Sequence, residues 1–190
     1  MLYLIKYLME NFNEKISLPS SEVIIQSLNL KFNGQFQESN PDASYSFSVP
    51  VITGDNPDTL DYLPLNKLSQ ELLDGNIAEE EQLKALEGKR FCVVICRSFD
   101  RIDPETEIRH KLSPNNGSLC FIAAVWDAIE DPLMETTLYS CTFLSRDEGS
   151  GRIPYFLSAD QVADWLSAEG NIQDHLRSFQ NKTKQKVSEN

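Results

Sequence analysis

The chain lacks a long hydrophobic run: its longest, Leu119 to Trp126, is eight residues. A bilayer-crossing helix needs ~20, so no membrane span is expected. Positive charge is scarce too. Seventeen Lys and Arg face 29 Asp and Glu, a net charge of −12 with a pI near 4.6. Affinity for phosphate backbones comes largely from Lys and Arg displacing condensed counterions, so this balance works against an extended nucleic-acid footprint. There are only two histidines, His110 and His175, each among polar neighbours. The four cysteines, Cys92, Cys96, Cys120 and Cys141, show none of the close paired spacings of a zinc site. They sit in apolar, β-branched surroundings, where buried free thiols are expected. Cys92 and Cys96 on one strand face lie about 13 Å apart, too far for a disulfide. No Gly-rich phosphate loop, no Gly-x-Ser-x-Gly and no His-Glu-x-x-His is present. No metal and no cofactor are therefore expected.

What remains is enough for one folded domain. At 190 residues a fold buries roughly 70% of the surface its unfolded chain exposes, and needs no staples. The opening, MLYLIKYLMENF, carries Lys6 inside a short apolar run and has no small-residue cleavage site, which argues against a secretory leader and for a cytoplasmic protein.

Ser20 and Ser21 after Pro19 predict a helix over about 21–31, with apolar positions at Val23, Ile24, Leu28, Leu30 and Phe32. Tyr45, Phe47, Val49 and Val51 alternate as in a half-buried strand. The acidic section 54–87 predicts two short helices, near Lys67–Leu73 and Glu79–Leu86, the second ending at Gly88. From Arg90 the pattern becomes β: RFCVVIC and LCFIAAVW are continuous apolar runs suited to strands covered on both faces, and TTLYSCTFLS resembles another. Turn signals separate them at Asp103-Pro104, Pro114 to Gly117 and Asp131-Pro132. Ser158 then caps a helix with Val162, Trp165 and Leu166 on one face, and a last helix follows near Ile172–Phe179. The expected class is α+β, a mostly antiparallel sheet system with peripheral helices. The expected organisation is a single domain over 1–180 with a polar tail over 181–190.

One set of blocks points further. Arg152-Ile153-Pro154-Tyr155-Phe156-Leu157-Ser158-Ala159-Asp160, with Trp165-Leu166 downstream, resembles the Arg-Met-Pro segment and following Trp-Leu of the SOS response-associated peptidase (SRAP) family. Ala123 to Asp127 resembles that family's Ala-Gly-Leu-Trp-Glu strand, and Ser140 to Ser145 its Ser-Phe-Thr-Ile-Leu-Thr strand. Lys89 to Val93 sits where the family has Arg-Cys-Leu-Val-Pro. Leu28 to Phe36 and Val49 to Ile52 are similar to its N-terminal helix and Pro-Val-Ile strand. The blocks occur in the family's order.

The resemblance implies a protein of the DNA-damage response that senses abasic sites in single-stranded DNA. In that family an N-terminal cysteine at position two closes a thiazolidine crosslink on the sugar aldehyde, assisted by an Asn, a Glu, a His and a phosphate-holding Arg. Carried onto this chain, the cysteine falls on Leu2, and starting at Met9 puts Glu10 there instead. The Asn falls on Asn76, the Arg on Ala78, the Glu on Asp100 and the His near Ser150. The family's Trp-Gly-Leu-Ile-Pro is reduced to Leu63-Pro64-Leu65. Arg97 and Arg101, flanking Asp100, are the remaining candidates for DNA contact.

Without a terminal thiol no thiazolidine closes, and without an imidazole the proton transfer has no evident substitute. An amine alone still forms a Schiff base with an aldehyde. The expectation is a catalytically inactive SRAP-like binding or interaction module for a protein partner, with affinity for single-stranded DNA weak or lost. Two alternatives stay open: an active abasic-site lyase or peptidase using Asn76 and Asp100, and an unrelated α+β domain.

Overall fold

The computed structural model describes residues 16–32, 48–65, 84, 86, 88–102, 109–112, 119–131, 136–147, 152–168, 172 and 174–176. The elements in chain order are β1 (Ile16–Ser17), α1 (Ser21–Leu28), β2 (Lys31–Phe32), β3 (Ser48–Thr53), β4 (Asn56–Pro64), β5 (Arg90–Cys96), β6 (Ser98–Ile102), β7 (Arg109–Leu112), β8 (Cys120–Asp131), β9 (Thr136–Phe143), β10 (Ser145–Asp147), β11 (Arg152–Pro154), β12 (Phe156–Leu157) and α2 (Ala159–Leu166). The class is α+β and dominated by sheet, as the apolar patterning predicted.

A seven-stranded sheet in the order β12-β8-β5-β3-β4-β2, with β9 also on β8, forms the body. The pairs β3–β4, β3–β5, β5–β8, β8–β9 and β8–β12 are antiparallel. Among the described strands β2 joins in parallel, Lys31 opposite Thr59 and Phe32 opposite Leu60, and an isolated parallel bridge links Leu65 to Cys141. This departs from the expected helix over 21–31. Asn29 adopts a left-handed conformation (φ 53°) and ends α1 at Leu28, so Leu30 and Phe32 pack on the core from beyond the helix. A left-handed Asn is a common helix stop because its short polar side chain tolerates that region. Ser20 occupies the N-cap position without a side-chain cap bond, while the Ser21 hydroxyl pairs with Tyr62 Oη at 2.7 Å.

The continuous apolar runs are explained by two cores. Side chains of a strand alternate between faces. Phe91, Val93 and Ile95 of β5, with Phe121, Ala123 and Val125 of β8, face α1 and α2. Cys92, Val94 and Cys96, with Cys120, Ile122, Ala124 and Trp126, face the other way, against Ile16 of β1 and Phe99 of β6. Trp126 is 8% exposed. On the helical side Trp165 is fully buried. Its Nε1 donates to the carbonyls of Cys92 (2.8 Å) and Ala124 (3.2 Å), and its ring meets Phe91 edge-on at 4.8 Å. Ser158 opens α2 through a capping box, Gln161 Oε1 accepting from the Ser158 amide at 2.9 Å. Gly54 lies against the far end of this helix: a Cβ there would run into the Leu166 carbonyl oxygen.

Two features shape the periphery. β5 leaves the main sheet at Arg97, whose amide donates to the Ser17 carbonyl at 2.8 Å, and continues as β6 in a three-stranded sheet β1-β6-β7. Along β8, one edge is shared by two strands: β12 pairs with Phe121 and Ile122, and β9 takes over from Ala124. At the handover Ala123 N–H donates to Tyr155 O (2.8 Å), Tyr155 N–H to Leu144 O (2.9 Å) and Leu144 N–H to Ala123 O (2.9 Å). The β10–β11 pair forms a separate two-stranded sheet that begins and ends at this closed ring.

The expected helix near Lys67–Leu73 lies outside the described residues, as does nearly all of the one near Glu79–Leu86. Gly88 does carry the positive φ (76°) of a helix-ending glycine. Among the described residues no helix is long and apolar enough to cross a membrane.

Candidate functional site

Of the residues singled out by the sequence, Leu2, Asn76, Ala78 and Ser150 lie outside the described residues. Asp100 is on β6, half-buried, with Lys111 of β7 as its register partner. Phe99 beside it points into the second core, so alternation turns Asp100 to the other face of this small sheet. Arg97 is exposed at the bend where β5 becomes β6. Arg101 follows Asp100 on β6 opposite His110; the side chains of both lie outside the described residues.

The four thiols are all buried on the face of the sheet that carries Trp126. Burial pushes the Cys92 thiol well above its usual range, and Cys141 nearby adds to the shift. Cys96 is raised by its hydrogen bond to Cys120 and then by burial, and burial pushes Cys141 up to about 12. Since the thiolate is the nucleophile, these thiols are poor nucleophiles for as long as they stay buried in the closed sheet. That agrees with the packing role read from their surroundings.

Sequence reasoning missed a cation–aromatic stack at the rim of the same face. The Arg90 guanidinium lies 3.6 Å from the Trp126 ring centroid and reaches Asp55 at 3.3 Å. Tyr139, 49% exposed, sits 6.2 Å from Trp126. The Trp126 Nε1 is buried with no hydrogen-bond partner among the described residues. Next to the stack Lys89 Nζ meets Asp127 Oδ2 at 2.7 Å, and this bond holds the Asp127 carboxyl below its usual value. Arg90 is opposite Trp126 and Trp126 opposite Cys141, so the stack follows from register. No local motif announces it.

Between α1, the β3–β4 turn and α2 lies an open cleft of about 480 Å³ walled by Leu28, Leu30, Pro57, Phe121, Val162 and Leu166. Its described lining holds no acid or base, so it can shelter an apolar group but cannot transfer a proton. No cluster of three or more His, Cys, Asp or Glu suited to a metal occurs among the described residues.

No family model and no curated protein matches the chain. Solved structures do. The fold resembles a protein from Bordetella bronchiseptica at a TM-score of 0.55 and 14% identity, over 81% of this chain and 87% of that one. It also resembles one from Bacteroides thetaiotaomicron at 0.57 and 11% identity, over 84% and 83%. Both are crystal structures from a structural genomics consortium. At such identities the likeness is one of fold, and it is distant.

Proposed function

We propose that the chain is a SRAP-like fold without thiol crosslinking chemistry, acting as a non-covalent binding module for a protein partner. The observation that supports this reading is the burial of all four thiols. Every cysteine in the sequence is used in packing, and Leu2 stands where the resemblance puts the nucleophile. The net charge of −12 opposes approach of a phosphate backbone, which favours a protein partner over nucleic acid. Asp100, half-buried on β6 opposite Lys111, is then a position retained from that family's site. The decisive assay incubates the protein with single-stranded DNA bearing an abasic site and resolves the products on a denaturing gel. No heat-stable adduct is expected. A shifted band that disappears on prior thiol alkylation overturns the reading in favour of an active crosslinking enzyme. A band that survives alkylation but needs borohydride trapping points to Schiff-base lyase chemistry instead.

A further inference from the structure

Cys96 and Cys120 stand directly opposite each other in the β5–β8 ladder. They form its last pair, since Cys96 ends β5 and Cys120 opens β8. The Gly54 amide donates to the Phe91 carbonyl at 3.0 Å, so Phe91 directs its backbone groups toward β3. Alternation then turns those of Cys92, Val94 and Cys96 toward β8, which makes Cys96 and Cys120 a hydrogen-bonded pair with Cα atoms about 5.5 Å apart. A disulfide spans Cα separations of ~4.4–6.8 Å. The thiols are neighbours: the Cys120 side chain is the largest influence raising the Cys96 thiol, and Cys120 Sγ donates to the Arg97 carbonyl at 3.2 Å. The other two cysteines have no such partner, for Cys92 faces Ala124 and Cys141 faces Trp126.

We propose that Cys96 and Cys120 are a redox modification site that closes to a reversible cross-strand disulfide by exchange with a small-molecule disulfide. One cysteine, deprotonated, attacks a sulfur of the small disulfide and releases one small thiolate. The second cysteine, deprotonated in turn, attacks the protein sulfur of the mixed disulfide and releases the other. The two protons lost by the cysteines end on the two small thiols, and the two electrons given up by the new bond reduce the reagent. Access comes from position. The pair is at the end of its ladder, beside the exposed Arg97, where opening a single residue pair costs far less than global unfolding. The reaction is slow because the thiols are buried. The product is easily reversed. Opposed Cβ atoms lie ~4.5–5.5 Å apart, toward the long end in hydrogen-bonded pairs, whereas a disulfide wants about 3.8 Å. Closing it draws the strands together, and strained disulfides are the readily reduced ones.

The test incubates the full chain with oxidised glutathione at mildly alkaline pH, traps remaining thiols with N-ethylmaleimide in denaturant, and maps the chymotryptic peptides. Cleavage at Phe121, Trp126 and Tyr139 separates Cys120 from Cys141. The expected result is loss of two of the four free thiols, restored by mild dithiothreitol, with Cys120 linked to the peptide that holds Cys96. Cys92→Ser should leave that link unchanged. Fragmentation of the wild-type peptide through Val93-Val94-Ile95 assigns the sulfur without any variant. Retention of all four thiols, a link through Cys92 or Cys141, or glutathione adducts with no crosslink would each overturn the proposal.

Discussion

Replacing Trp165 by Phe isolates what holds α2 to the sheet. The change removes about three ring atoms from a site with no exposure. It also deletes an N–H that serves the Cys92 and Ala124 carbonyls at 2.8 and 3.2 Å. The lost apolar contact is worth ~2 kcal/mol at roughly 0.8 kcal/mol per carbon. The hydrogen bond adds about 1 kcal/mol, for a total near ~3 kcal/mol. For a domain of this size each kcal/mol moves the midpoint by ~2–4 °C, giving a fall of roughly 6–12 °C. Trp126→Phe is the matched control. It removes the same atoms from a residue 8% exposed whose N–H has no described partner. No hydrogen bond is lost there, relief of the unpaired group returns ~1 kcal/mol, and the weaker stack of Arg90 on the smaller ring costs up to ~1 kcal/mol, so the net cost is about 1–2 kcal/mol. Urea unfolding of both variants, with unchanged m-values, measures the difference. If Trp126→Phe destabilises as much as Trp165→Phe, the anchoring role given to the Trp165 N–H is wrong.

Three further outcomes are expected. Gly54→Ala should destabilise by ~1–3 kcal/mol, as overpacking does, because its Cβ would run into the Leu166 carbonyl; an unchanged urea midpoint would refute that contact. Burial raises the Asp61 pKa above 3.8, so the folded state binds its proton more readily than the unfolded one and the charged form is disfavoured at neutral pH. Asp61→Asn should therefore raise stability modestly at pH 7, with the advantage shrinking as pH falls through the folded pKa to 3.8, a trend that melts at several pH values would show. Asp127 is shifted the other way by Lys89. Its contribution is present above the unfolded carboxylate pKa and lost as pH falls through the lower folded value, so Lys89→Met should flatten acid unfolding slightly, by no more than a surface pair is worth.

The sheet was legible where burial leaves a strong mark. RFCVVIC and LCFIAAVW are apolar on both strand faces because each face meets a core, and Val162, Trp165 and Leu166 recur at helical spacing because one side of α2 is covered. Leu30 and Phe32 misled for a physical reason: they continue the spacing of α1 after Asn29 has turned the chain into β2. Pairing partners were not legible. Nothing local in Cys96 or Cys120 states that they face each other, since register depends on residues 24 positions apart. The same holds for Arg90 over Trp126. Asp100 was singled out through its block, but what surrounds it is set by β1 and β7, which its own sequence does not encode.

The ring of backbone bonds among Ala123, Leu144 and Tyr155 has an architectural consequence. The excursion from Ser145 to Pro154 leaves the sheet and returns to it at adjacent backbone positions, so its two ends are tied before its length matters. Closing a longer excursion costs little extra entropy, since that cost grows only with the logarithm of length. This segment is therefore a modular socket. Residues can be inserted between β10 and β11 while the sheet beneath keeps its register, provided that Ser145 and Ile153, which are buried, are kept. In a lineage built on this scaffold it is the place where new surface can be tried without refolding the rest.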